Sequence, residues 1–253
     1  MVLIPISPIE AVLRGSGLLC PIDGITKTGS RNKRIHLLLR GMNKLNIRDL
    51  GIIEYNEALK IQENIFNQSI ALKQAGQPVE STLLLCEHPS VYTMGKHADA
   101  NHFLKASEQI PRVQTNRGGD ITYHGPGQIV LYPILDLESV HWGLAQYVET
   151  LEKIGIALCA AYGIQAHALK GFNGVWIENQ RKIMAIGIKA SRHITMHGVA
   201  FNVNTELSPY NDIVPCGISD KAVTSLRQEL HRDMDMESVK KKMVEIFTSF
   251  WHE

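Results

Sequence analysis

The sequence predicts a single α/β (α+β) domain, with one large, mixed and mostly antiparallel sheet flanked by helices. Short apolar or alternating runs bounded by Gly, Pro and Asn recur between Leu45 and Asn202, which is the signature of strands. Two long stretches with helical spacing interrupt these runs and a third closes the chain. No internal repeat or linker divides residues 42–253, so one domain accounts for them.

Residues 1–41 read as an N-terminal extension outside that core. Pro5, Pro8 and Glu10 break what would be a signal-peptide core, and residues 31–40 are basic. A transit segment, a genuine extension and upstream sequence from an early start codon are the competing accounts. The last is favoured because Met42 opens domain-like sequence. Leu45–Ile53 then reads as a strand. In 54–74, Tyr55, Ala58, Leu59, Gln62, Ile65, Phe66 and Ile70 share one helical face. Ser81–Cys86 and Ser90–Met94 are strands parted by Glu87-His88-Pro89. Val113–Thr115 leads into a stretch crowded with Gly118, Gly119, Gly125 and Gly127, expected to be a loop folded around something small. The alternating run Ile129–Leu135 is a buried strand. Trp142–Tyr162 is a helix closed by Gly163. Gly174–Ile177 and Lys182–Ser191 form a hairpin turning near Asn179-Gln180, Ile194–Asn202 is a strand, and Ser238–Trp251 is a terminal helix.

The formal net charge of +1 on 253 residues argues against nucleic-acid binding by bulk electrostatics. No apolar run reaches the roughly 18 residues needed to span a bilayer. The four cysteines stand far apart without a CxxC pair, so a reducing compartment fits better than a disulfide framework. His193 and His197 lie in HITMH without the glutamate of the zinc-protease signature, and no metal site is expected. The glycine stretch has neither a dinucleotide fingerprint nor a phosphate-loop Lys-Ser/Thr, and a plain turn between strands would explain its glycines. Arg117, Thr122, Tyr123 and His124 in the same stretch point to chemistry instead.

Cys86 and Cys159 sit inside regular elements and read as core. Cys216, between Pro215 and Gly217, is a candidate nucleophile. A thiol titrates near ~8.5, so a cation must favour the thiolate. His124, His197, Lys182 and Lys189 are candidates. Lys182 opens the apolar run KIMAIGI, where a solvated strand end is the plain alternative to a partly buried proton shuttle.

Four blocks, EHPSVYTMG, RGGDITYHGPGQIVLYP, KIMAIGIK and HGVAFNVNTELSPYNDIVPCGI, together resemble the octanoyltransferases of lipoate biosynthesis. They occur in family order across Leu45 to Arg227, and Lys182 and Cys216 stand 34 positions apart, a spacing that fits the family. The resemblance implies the fold shared with lipoate–protein and biotin–protein ligases. It implies octanoyl transfer from acyl carrier protein to a lysine of lipoyl domains, those of 2-oxoacid dehydrogenase complexes and the glycine cleavage H protein. Carried over residue by residue, Cys216 holds the acyl group as a thioester and Lys182 is its acid/base partner. Arg117, Gly118, Gly119, Asp120, Ile121, Thr122, Tyr123 and His124, with Ala185, Ile186, Gly187, Gly198, Val199 and Ala200, line the acyl pocket. No cofactor is implied. The setting is the cytoplasm, or the mitochondrion if residues 1–41 are a transit segment.

The physics agrees with such a reaction. Thioester exchange is nearly neutral and amide formation downhill, so no nucleotide site is required. Burying about six methylenes at ~0.8 kcal/mol each gives on the order of 5 kcal/mol. Gly187 and Gly198 are expected to leave room for the chain, and Lys96, Lys189 and Arg192 to form a basic rim for the acidic carrier protein. Three rivals remain: an ATP-dependent ligase on the same fold, a cysteine hydrolase using His124 or His197, and a non-catalytic carrier-binding protein. Cys216 disfavours the first, a hydrolysis assay separates the second, and indifference to Cys216→Ala would mark the third.

Overall fold

A computed structural model describes residues 44–105, 109–214 and 221–251. The expected extension at 1–41 and Cys216 lie outside the described residues. The chain runs β1 (Leu45–Ile52), α1 (Tyr55–Gln74), β2 (Ser81–Glu87), β3 (Val91–Met94), β4 (Arg112–Gln114), β5 (Ile121–His124), β6 (Gln128–Ile134) and α2 (Leu144–Ala161). It continues through β7 (His167–Leu169), β8 (Phe172–Ile177), β9 (Arg181–Ser191), β10 (Ile194–Asn202), β11 (Ala222–Val223), α3 (Leu226–Leu230) and α4 (Met236–Trp251).

The large sheet has strand order β1-β2-β6-β10-β9-β8-β7, with β11 added beside β9. Only β1–β2 and β9–β11 are parallel; every other pair is antiparallel. The sheet is therefore mixed and mostly antiparallel. Strands β2 and β6 are buried at every position. Their alternate residues face opposite layers. Leu83, Leu85, Ile129 and Leu131 pack under α2 and α4, while Leu84, Cys86, Val130 and Tyr132 pack under α1. The helices supply matching stripes: Tyr147, Leu151, Ile154 and Leu158 on α2, and Val239, Met243, Phe247 and Trp251 on α4.

Strands β8 and β9 join through Glu178 (φ 52°) and Asn179 (φ 59°), and β9 and β10 through Arg192 (φ 52°) and His193 (φ 63°). Paired left-handed residues are what a two-residue hairpin turn requires, as between β9 and β10, and Gln180 adds a third residue to the β8–β9 connection. A three-stranded sheet, β4-β3-β5, packs its Tyr92, Ile121 and Tyr123 with Tyr210 and Ile213. Strand β5 corrects the expectation of a loop around 117–127. Ile-Thr-Tyr-His pairs antiparallel with β3 and is wholly buried, so only its flanks are loop.

Candidate active site

A narrow cavity of about 40 Å³ opens on the α1 side of the large sheet. The β9 segment Ala185–Gly187 and the β10 segment Gly198–Ala200 form one wall. Arg117, Gly119 and Asp120 of the glycine loop, with Thr122 and His124 of β5, form another, and Tyr55, Val130, Tyr132 and His197 complete it. Most of the expected lining residues thus meet in one place. Gly118, Ile121 and Tyr123 do not line it. Ile121 and Tyr123 point the other way from β5 into the small cluster, as strand alternation demands. Gly118 donates its N–H to Ile188 O at 2.9 Å, which ties the loop to β9 and leaves that N–H unavailable to an oxyanion.

The two strand glycines serve a purpose other than the expected one. A Cβ at Gly198 would lie 2.1 Å from Leu131 O and 2.6 Å from Pro133 Cδ, and one at Gly187 would lie 2.9 Å from Arg117 Cδ. Their missing side chains admit β6 and the Arg117 stem rather than a ligand.

A buried hydrogen-bond chain holds the walls together. Arg117 Nη2 donates to Thr93 O (2.7 Å) and Thr93 Oγ1 (2.9 Å), and Thr93 Oγ1 lies 3.3 Å from His124 Nε2. His124 Nδ1 lies 2.7 Å from Gln128 Oε1. The Gln128 amide donates to Tyr123 O and Asn202 Oδ1, and Asn202 donates to Thr224 O. Because Gln128 Oε1 is an acceptor, His124 is protonated on Nδ1, and its Nε2 accepts from the Thr93 hydroxyl. Each hydroxyl and amide in the chain passes polarity in one direction, from the guanidinium toward β11. Asp120 fixes the loop: Oδ1 accepts from Asp99 N and Ile121 N, and Oδ2 pairs with His102.

Burial and nearby cationic charge shape the titration of the site. Burial, then His88, lowers His124 to about 3. Burial, then Arg117, lowers His197 to about 3. Burial raises Tyr55 to about 12. At neutral pH both histidines are uncharged, so neither supplies the cation that the sequence reading allowed them for Cys216. His197 is also held at φ 60° in mid-strand. Its N–H donates to Gln62 Oε1 and its Nε2 lies 2.7 Å from Asn116 Oδ1.

Lys182 is 7% exposed, and its Nζ stands 4.6 Å from the Trp176 ring centroid. A bulge decides which way it points. Val175 pairs with Met184 but the next residue, Trp176, pairs with Lys182, leaving Ile183 as the extra residue. Ile183 and Met184 both enter the α2–α4 core. Lys182 is thereby returned to the face of β9 that carries Ala185 and Gly187. It does not itself line the cavity. On either side of the Cys216 segment, Val214 N donates to His102 O (2.7 Å) and Thr224 N to Lys182 O (2.9 Å). Of the expected basic rim, Lys96 and Arg192 are exposed, while Lys189 is half-buried with its Nζ 4.9 Å from the Phe66 ring centroid.

Tyr55, Val130 and Tyr132 were not among the expected pocket residues, and His197 was expected only as a partner for the thiol. Their one signal in the sequence is apolar spacing, which says core. Among the described residues no three His, Cys, Asp or Glu side chains are grouped to hold a metal.

Residues 54–248 match the family described as the lipoyl protein ligase A/B catalytic domain. An octanoyltransferase of Bacteroides thetaiotaomicron is 46% identical over 204 residues, covering 77% of this chain and 90% of its own. One of Cytophaga hutchinsonii is 42% identical over 223 residues, covering 81% and 91%. Among solved structures, P. falciparum LipL1 in complex with lipoate superposes with a TM-score of 0.62 at 14% identity, covering 82% of this chain and 62% of that one. A bipartite lipoate protein ligase from Thermoplasma acidophilum gives 0.55 at 15% identity, covering 83% and 85%. These likenesses establish a lipoate-ligase fold, and with the sequence relatives they show that the chain belongs to the octanoyltransferases, acyltransferases of the lipoyl protein ligase A/B catalytic-domain family.

Proposed function

We propose that the protein transfers an octanoyl group from octanoyl-acyl carrier protein to a lysine of lipoyl domains, through a thioester on Cys216. The observation that carries this reading is the cavity bounded by the small-residue ladder of β9 and β10, on the same strand face as the buried side chain of Lys182. In the first half-reaction the Cys216 thiolate attacks the donor carbonyl. The new carbon–sulfur bond forms as the bond to the pantetheine sulfur breaks, and that sulfur leaves as a thiol with a proton delivered by Lys182. In the second, the acceptor amine attacks the same carbonyl and gives a proton to Lys182, and the Cys216 thiolate is regenerated. A thioester donor makes both halves feasible without ATP. The bacterial relatives support a cytoplasmic setting, and among the described residues no helix is long and apolar enough to cross a membrane.

The test is intact-protein mass spectrometry after mixing with octanoyl-acyl carrier protein and no ATP. The expected result is a hydroxylamine-labile octanoyl adduct that is absent from Cys216→Ser and moves to an added lipoyl domain. If no adduct forms, and the lipoyl domain is modified only with ATP and free acid, the protein is a ligase and the proposal fails.

A further inference from the structure

The Lys182 side chain is buried with no carboxylate against its ammonium among the described residues. The acids around that corner of the sheet are committed elsewhere. Arg181 Nη1 pairs with Glu178 Oε2 at 2.7 Å, and Arg181 Nε with Glu229 Oε1 at 3.0 Å. Glu229 also accepts from the Thr224 hydroxyl, and Glu152 accepts from Gly174 N at 3.1 Å. Lys182 Nζ is met instead by the ring of Trp176, whose centroid lies 4.6 Å away. An ammonium within about 6 Å of an aromatic centroid is attracted by the negative face of the ring, and tryptophan is the best such partner.

The ring is fixed independently of the lysine. Trp176 is 1% exposed, and its Nε1 donates to Phe172 O at 3.0 Å. Phe172 meets it edge to face, with centroids 6.2 Å apart. Register brings the lysine to this platform. The bulge at Ile183 sets Trp176 directly opposite Lys182, so the two side chains are cross-strand neighbours on one face. The stem is guided as well. A Cβ at Gly174, two residues before Trp176 on the same face of β8, would stand 3.5 Å from Lys182 Cδ and Cε, so the stem runs over bare backbone toward the ring.

We propose that Trp176 is the positioning residue of Lys182: its indole face holds the ammonium in one place without cancelling its charge. The proposal rests on the acyl-transfer reading above, in which Lys182 gives a proton to the leaving thiol and takes one from the acceptor amine. A lysine on a flexible four-carbon stem needs something to hold it for proton transfer. A carboxylate would do so, but it would neutralise the positive charge and resist loss of the proton in every turnover. A ring attracts the cation and leaves its N–H donors in use.

The experiment measures octanoyl transfer from octanoyl-pantetheine to a lipoyl domain. In Trp176→Leu, which removes the ring, kcat should fall about tenfold while KM for the thioester stays within about twofold. Trp176→Phe returns an aromatic face and should recover kcat to within about threefold of the wild type. A folded Trp176→Leu with wild-type kcat overturns the proposal, and so does a Trp176→Phe no faster than Trp176→Leu. Packing is separated from charge by replacing every tryptophan with its mono-, di- and trifluorinated forms, because fluorine weakens the negative face of the ring with little change in size. In the wild-type chain log kcat should fall with each added fluorine. In Trp176→Phe, which keeps Trp142 and Trp251, it should stay level. A level series in the wild type, or the same fall in both chains, overturns the proposal. If Trp176→Leu does not fold, the fluorine series decides alone. Octanoyl transfer by the unlabelled wild type keeps the underlying function standing in each of these cases, and its absence overturns both.

Discussion

The face of the large sheet under α2 and α4 is filled by aliphatic, aromatic and sulfur side chains, whereas the face under α1 carries Tyr55, His88, Tyr132 and His197 among its apolar residues. The same strands build both faces, since β2 and β6 send alternate residues to each. The first face gains from every buried atom and asks only for shape. The second also buries polar atoms and meets many of them through oriented pairs, while Gln62 Nε2 and His197 Nδ1 have no partner among the described residues. His88 Nδ1 lies 2.7 Å from Ile53 O, so the ring donates there and its Nε2 accepts from the Tyr132 hydroxyl, also at 2.7 Å. Stability and site are thus divided between two sides of one sheet.

The sharpest way to break that division is to cut into the first face. Phe247→Ala should lower unfolding free energy by about 3–5 kcal/mol, the range for emptying a buried aromatic site. In native buffer the variant should keep its kcat/KM on a small octanoyl thioester. Chemical denaturation beside steady-state rates checks this, and a parallel loss of both would mean the faces are coupled.

Acid probes the second face. His124 and His197 titrate near 3 in the fold, against an ordinary 6.5. Between those values the unfolded chain binds protons that the folded chain refuses, so stability is complete above about 6.5 and falls as pH drops toward 3. Urea midpoints measured from neutral pH to pH 4 should decline, and less steeply in His124→Gln. An unchanged slope in that variant would show that His124 does not carry the effect.

The smallest effect belongs to the rim. Lys189→Glu with Arg192→Glu should shift stability by under ~1 kcal/mol, since one side chain is exposed and the other leans on Phe66. It should raise KM for octanoyl-acyl carrier protein several-fold and leave a pantetheine thioester unaffected. Equal changes for both donors would remove these residues from carrier docking.

The helices and long strands were legible because their periodicity is strong: Tyr55–Gln74, Gln128–Ile134 and Ile194–Asn202 fall close to where spacing puts them. Strand β5 was hidden because four residues between glycine clusters hold too little alternation to outweigh turn signals. The bulge at Ile183 was hidden because KIMAIGI is apolar throughout, so a reversal of facing leaves no mark on composition. The site was legible as blocks but not as a cavity. Tyr55 and Tyr132 reach it by tertiary packing, and the glycines at 187 and 198, spaced as if to open a channel, are filled by Leu131, Pro133 and Arg117. His197 showed in the sequence only as a possible charge, and burial denies it one.

The extra residue in β9 also bears on how this chain tolerates change in length. Removing Ile183 would restore an ideal ladder with β8, an improvement by any measure of strand regularity. It would also leave Lys182 opposite Trp176 and on the face of Ala185 and Gly187, taking only one apolar side chain from the layer of Leu151, Ile154 and Val175. The arrangement that would turn Lys182 over is the opposite one, a regular ladder in which Ile183 pairs with Trp176, so the irregularity lets β9 carry one residue more than β8 without moving the lysine to the other layer.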